Sequence, residues 1–229
     1  MNRKNKRTLI ELLSAFVTEQ RLEKMHQVLS RRTRHLCLVL EDIYQSHNAS
    51  AVIRSCDCFG IQDVHIIENK NVYNVNPDVA LGATKWLSLH KYDRQEFNTI
   101  DCILALKKKG YRIVATSPHK GECLLEELPV DNKLALMFGT ELKGLTDEAV
   151  SMADAFVKIP MEGFTESFNI SVSAAICLYH LTPKIRSNVS HWQLSTEEKE
   201  DILLDWLMQS VNRSDSLIRQ YIESGGENG

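Results

Sequence analysis

Apolar residues recur along this chain with two different periods. Near its start, Leu9, Leu12, Leu13 and Phe16, and then Leu22, Met25, Val28 and Leu29, fall three or four positions apart, which predicts helices over about residues 5–18 and 19–32. From residue 36 the pattern changes to short, continuous apolar runs. Leu36–Leu40, Val64–Ile67, Ile113–Thr116, Leu134–Phe138 and Phe156–Ile159 read as strands buried on both faces. Helical patterns near 48–59, 95–109, 146–153 and 168–181 separate most of them. Such alternation predicts an α/β domain with a largely parallel sheet. After Pro183 a polar stretch leads into one long amphipathic helix carrying Ile202, Leu203, Trp206, Leu207, Leu217, Ile218 and Tyr221. The expected organisation is a helical extension over 1–35, the α/β domain over 36–185 and a second helical extension over 186–229, with Gly225–Gly229 as a disordered tail.

Composition narrows the picture. The 229 residues are 43% hydrophobic, enough for a substantial core. No run approaches the ~18 consecutive apolar residues that a membrane-spanning helix requires. The early apolar stretch Leu9–Val17 is interrupted by Glu11 and is followed by no cleavage pattern of small residues, so it reads as an amphipathic helix and not a signal peptide. A cytoplasmic protein is expected. The net charge of −3 conceals an asymmetry: residues 1–35 carry nine Lys/Arg against three Asp/Glu, and residues 195–229 carry three against eight. The basic N-terminal stretch is a candidate nucleic-acid surface, with simple solvated helix faces as the plainer alternative. Cys37, Cys56, Cys58, Cys102, Cys123 and Cys177 are scattered, mostly within apolar runs, and form no C-x-x-C pair. They read as buried free thiols, with no disulfide and no metal site.

Candidate chemistry concentrates after three strands, where open α/β sheets collect their ligands. The segment after the first strand ends in His47-Asn48-Ala49-Ser50-Ala51-Val52-Ile53-Arg54. Asn48 stands where a helix begins and its carboxamide suits a cap; Arg54, six residues on, would ordinarily be a surface residue. His47 is a nearby imidazole able to carry a proton, or an ordinary loop histidine. The segment after the strand 134–138, Gly139-Thr140-Glu141-Leu142-Lys143-Gly144-Leu145-Thr146, has the outline of a phosphate-binding loop but holds Leu145 where that loop needs lysine. An NTPase is therefore not expected. After the strand 156–159 comes Pro160-Met161-Glu162-Gly163-Phe164-Thr165-Glu166-Ser167-Phe168-Asn169, in which Ser167 and Asn169 suit helix capping. G-x-G-x-x-G occurs nowhere, which argues against a dinucleotide-dependent dehydrogenase.

Taken in order over about residues 36–182, these segments resemble the three motifs of the SpoU/TrmH branch of the SPOUT RNA methyltransferases: Asn48…Arg54, Gly139-x-Glu141-x-x-Gly144-Leu145, and Ile159-Pro160-Met161…Ser167-x-Asn169-x-Ser171. The helical extensions resemble those of the tRNA guanosine-18 2′-O-methyltransferase group in that branch. The resemblance implies a C-terminal trefoil knot, which periodicity cannot reveal. It also implies a homodimer that methylates a ribose 2′-hydroxyl of RNA, tRNA first, using S-adenosyl-L-methionine and no metal. By the same resemblance Thr116, Gly139, Glu141, Ile159, Met161 and Phe168 line the cofactor pocket, and Asn48, Glu141, Ser167 and Asn169 fix the catalytic loops. Arg54 comes from the partner subunit as the catalytic group. As a literal base, arginine would have to lose a proton of pKa about 12.5–13.8, costing roughly 7.5–9 kcal/mol at pH 7. A cationic clamp on phosphate and developing alkoxide is the better reading. The group's arginines after the third motif have Lys184 and Arg186 as their nearest counterparts here. Ribosomal RNA is the alternative substrate, and a catalytically silent RNA-binding scaffold the alternative of another class.

Overall fold

The computed structural model describes residues 3–74, 76–94, 96–117 and 123–223. Its elements run α1 (Arg3–Ser14), α2 (Glu19–Leu29), β1 (Leu36–Glu41), α3 (Ser46–Phe59), β2 (Asp63–Ile67), α4 (Pro77–Ala80), β3 (Ser88–Tyr92), α5 (Asn98–Lys108), β4 (Tyr111–Thr116), β5 (Cys123–Leu124), β6 (Lys133–Phe138), α6 (Asp147–Met152), β7 (Ala155–Lys158), α7 (Ile170–Asn188), α8 (Thr196–Ser210) and α9 (Ser214–Glu223). They divide into two compact units, Thr33–Trp192 and the two terminal segments Met1–Arg32 with Gln193–Gly229.

The first unit is built on a seven-stranded sheet of order β3-β2-β1-β6-β4-β7-β5 in which every pairing is parallel. Side chains alternate across a strand, so β1 serves two cores. Leu36, Leu38 and Leu40 join Val52, Ile53 and Cys56 of α3 and Ala174, Leu178 and Leu181 of α7 on one face. Cys37 and Val39 join Cys102, Ile103 and Leu106 of α5 on the other. Burial on both faces is why the strand reads as an unbroken apolar run.

Two strands carry no such signal. β3, Ser-Leu-His-Lys-Tyr, is only partly buried, and β5 is two residues long. Each lies at one end of the sheet order, where a strand needs less apolar sequence. The third-motif helix also outruns its expected end: α7 continues through Pro183 to Asn188. Pro183 and Tyr179, one turn apart, are both exposed, so the carbonyl that proline leaves without a donor lies on the solvent side. The single long C-terminal helix expected is two, α8 and α9, broken where Arg213 takes a left-handed φ of 57°.

In the second unit, opposite charges of the two termini meet. Lys6 pairs with Asp201, and Arg7 Nη2 lies 2.7 Å from Glu200 Oε1. Arg21 Nη2 donates to Ser210 Oγ at 3.4 Å, and the fully buried Arg32 lies 5.5 Å from the Trp206 ring centre. A capping box, Ser195 with Glu198, starts α8. With Arg34 bound to Asp63 at 3.0 Å in the sheet unit, five of the nine basic residues read as a nucleic-acid face are engaged inside the protein. The tail Gly225–Gly229, expected to be disordered, lies outside the described residues.

Candidate active site

Each motif segment leaves the carboxyl end of a strand: β1 runs into α3, β6 into α6, and β7 into α7. The β6–α6 loop is closed on itself. Thr140 and Gly144 exchange backbone hydrogen bonds, Thr140 N to Gly144 O at 2.9 Å and Gly144 N to Thr140 O at 2.8 Å. Its glycines have separate reasons. Gly144 needs its left-handed φ of 68°, and a Cβ on Gly139 would sit 2.1 Å from the Gly144 carbonyl carbon. The turn brings Glu141 to its tip, and Thr146 caps α6 through the Ala149 amide.

The three loops meet at one carboxylate oxygen. Asn48 Nδ2 and Asn169 Nδ2 each donate to Glu141 Oε1 at 2.8 Å, and Asn169 Nδ2 also reaches Asn48 Oδ1 at 3.1 Å. The capping role expected of Asn48 is corrected: α3 begins at Ser46, its N-cap Gln45 makes no side-chain cap bond, and buried Asn48 instead donates to Gln45 Oε1 at 3.0 Å. Asn169 does cap α7, accepting from Ser171 N at 2.9 Å through Oδ1 while its amide holds the other two loops. Thus one residue from each motif closes a polar triangle.

Beside the triangle, a cavity of about 500 Å3 is lined by Thr116, Gly139, Glu141, Ile159, Met161, Ser167 and Phe168. Leu145 of the second motif also lines it, as do Phe156 and Lys158 of β7, which were not among the expected pocket residues because backbone position along a strand leaves no mark in residue type. Asn48, Asn169 and Arg54 are not part of the lining. The Thr116 hydroxyl donates to the Met137 carbonyl at 2.8 Å, tying β4 to β6.

Arg54 is exposed on α3 and makes no hydrogen bond or ion pair among the described residues. Six residues advance a helix by about 9 Å and leave it about 120° around the axis from the starting side chain. Arg54 therefore faces away from the direction in which Asn48 meets Glu141. His47 is exposed and lines a second cleft with Tyr44 and Lys70. Lys184 and Arg186 bond backbone carbonyls of their own chain: Lys184 Nζ donates to Leu128 O at 2.9 Å, and exposed Arg186 donates from Nη2 to Phe59 O at 3.0 Å.

A second support was not visible in the sequence. Glu41, 1% exposed at the end of β1, accepts from Thr99 Oγ1 at 2.6 Å, Thr146 N at 2.9 Å and Thr146 Oγ1 at 2.8 Å. This fixes the exit of the β6–α6 loop to the entry of the first motif. An acidic residue ending an apolar strand was the available signal. All six cysteines are free. Burial raises the thiols of Cys37, Cys102 and Cys177, the last two to about 12, whereas Cys58 is exposed and Cys123 partly so, against the buried reading. Among the described residues no cluster of three or more His, Cys, Asp or Glu is arranged to hold a metal, and no helix is long and apolar enough to cross a membrane.

Comparison with known proteins gives the arrangement its context. Residues 35–179 match the SpoU rRNA Methylase family. The tRNA (guanosine(18)-2′-O)-methyltransferase of Borreliella burgdorferi is 46% identical over 202 residues, covering 88% of this chain and 91% of its own. That of Aquifex aeolicus is 31% identical over 204 residues, covering 87% and 94%. Among solved structures, the A. aeolicus TrmH/SpoU tRNA modifying enzyme superposes with a TM-score of 0.75 at 31% identity, covering 85% of this chain and 98% of that one. Parallel sheet, ordered motifs and relatives agree: the chain belongs to the SpoU methylase family.

Proposed function

We propose that this protein transfers the methyl group of S-adenosyl-L-methionine to the ribose 2′-hydroxyl of guanosine 18 in tRNA. The observation that carries the reading is the gathering of all three motif loops on Glu141 Oε1, at the edge of a cavity of about 500 Å3. That cavity suits the cofactor: Ile159, Met161 and Phe168 offer apolar surface for a nucleoside and thioether, and the closed Gly139–Gly144 turn brings backbone near. When bound, the cofactor supplies an electrophilic methyl group, and the chain's own task is to align a ribose oxygen with it and manage one proton.

Glu141, Asn48 and Asn169 hold the loops in register, which is the positioning that methyl transfer demands. Ser167, exposed on the third loop, is free to bond the ribose. Arg54 holds the RNA phosphate and the developing alkoxide as a cation, while phosphate or water takes the proton. Because Arg54 turns away from its own cavity, it serves the site of a second copy, and the working form is a homodimer. Val172, Ile176 and Tyr179 recur along α7 with Tyr179 72% exposed, and the Tyr179 ring meets Phe59 of α3 edge-on at 6.4 Å. This apolar stripe beside the helix of Arg54 is the face offered to the partner. The trefoil knot belongs to the same reading, as does a cytoplasmic location. The choice of tRNA rests on the names of the relatives at 46% and 31% identity.

Incubation with labelled cofactor and separate tRNA and rRNA pools, followed by mapping of the modified nucleotide, tests the assignment. Label at guanosine 18 of tRNA is expected. Label confined to rRNA moves the substrate, and absence of cofactor binding by calorimetry replaces the enzyme with an RNA-binding scaffold.

A further inference from the structure

A second cleft, of about 610 Å3, opens beside the first motif and is separate from the cavity described above. Its walls are the segment Tyr44–His47, leading into α3, and Lys70, Asn71, Val72 and Asn74 beyond β2. These are surface loops, yet they are locked together. Asp42 Oδ1 accepts from three successive backbone amides, Asn69 at 2.7 Å, Lys70 at 2.8 Å and Asn71 at 3.2 Å. Asn71 Nδ2 donates back to the Asp42 carbonyl at 2.9 Å. To do this, buried Asp42 takes a left-handed φ of 54°, a conformation costing a non-glycine residue about 1 kcal/mol or more. The bonds that hold that strain give the cleft a preformed shape.

Three side chains that line this cleft are left open to solvent. Tyr44 is 78% exposed and Val72 68% exposed, and Lys70, also exposed, makes no ion pair among the described residues. A flat aromatic ring, an aliphatic surface and an ammonium group around one opening suit a stacked base with its phosphate. The cleft also touches the catalytic triangle: Gln45 lines it and accepts from Asn48, which in turn donates to Glu141.

We propose that this cleft holds an unpaired nucleotide of the RNA substrate next to the methylated one, its base stacked on Tyr44 against Val72 and its phosphate held by Lys70. The inference rests on the methyltransferase reading above for the identity of the RNA, and gives that site its means of accepting single-stranded loops over duplex. Tyr44 and Lys70 are positioning residues here, because neither touches the cavity.

Steady-state methylation by the full chain, with Tyr44→Ala, Tyr44→Phe, Lys70→Ala and Lys70→Arg, tests it. Loss of one stacked base is expected to raise KM for tRNA about tenfold in Tyr44→Ala. Lys70→Ala should raise it several-fold, with kcat and KM for the cofactor within about twofold of native in both. Tyr44→Phe and Lys70→Arg should restore native values, and 5-iodouridine placed beside the target should photocrosslink to Tyr44. An unchanged KM in Tyr44→Ala, or failure of phenylalanine to rescue it, overturns the proposal. Filter binding of the same RNA is run in parallel. A native chain that binds RNA without methylating it defeats the functional reading alone, and the ratio of Kd between Tyr44→Ala and native then decides the cleft.

Discussion

The helical unit and the loop end of the sheet unit use their charged and polar groups in opposite ways. In the helical unit, basic residues of the N-terminal segment face acidic or aromatic residues of the C-terminal helices: Lys6 meets Asp201, Arg7 meets Glu200 and Arg32 lies over Trp206. At the loop end of the sheet, acidic groups hold backbone and amides in place, Glu41 on Thr146, Asp42 on residues 69–71, Glu141 on Asn48 and Asn169. Lys91 there pairs with Glu68, but two other cations of this unit, Arg54 and Lys70, are left exposed. A charge count along the sequence cannot distinguish a cation engaged by its own fold from one available to RNA, and the structure can.

The largest expected effect breaks this comparison at its sharpest point. Arg54→Ala should lower kcat by about 10³-fold, as for loss of a donor to developing charge, and leave the melting temperature nearly unchanged because no bond in the fold is lost. A single-turnover series across pH adds the role: if Arg54→Lys recovers most of the rate with a shifted basic limb, the residue titrates and is not a fixed cation. The converse is expected at Glu41→Ala. Three donors around a buried site lose their acceptor, so stability should fall by about 3 kcal/mol in denaturant melts, with methylation falling through displacement of the Glu141 loop. Equal losses of stability in the two variants would erase the distinction.

Acid offers an intermediate effect. His65, stacked on His90 at 4.5 Å, is pushed down to about 3, first by burial and then by the neighbouring His90 charge, with Asp63 opposing. In the unfolded chain it titrates near its ordinary 6.5, so below that value the unfolded state binds the extra proton and the native state loses stability. Between pH 7.5 and 5.5 the loss from this group is about 1.4 kcal/mol. Thermal melts should show that decline, and His65→Phe should flatten it. The smallest effect is Arg7→Ala: its exposed pair with Glu200 contributes at most about 1 kcal/mol, and KM for RNA should not move. A several-fold rise in that KM would return the N-terminal helices to the nucleic-acid surface.

Much of the sheet was legible because β1, β2, β4, β6 and β7 are buried runs that announce themselves locally. β3 and β5 were not, since strands at the sheet ends can be polar or very short. Pro183 looked like a terminus because the sequence does not state that its turn faces water. The motif residues were found together by resemblance, and seven of them line one cavity. Their partners were hidden: whether Asn48 caps its own helix or reaches Glu141, 93 residues away, depends on a contact that only the folded sheet creates. Glu41, Asp42 and the pairing of the two termini are hidden for the same reason.

The most direct measurement asks which subunit supplies Arg54. Arg54→Ala and Glu141→Ala chains, each inactive alone and carrying different affinity tags, are co-expressed, and doubly tagged dimers are isolated. If Arg54 serves its partner's cavity, each mixed dimer holds one intact site of two and should methylate at about half the native rate per dimer. Mixed dimers as inactive as their parents would mean that Arg54 acts within its own chain, and would contradict the assignment.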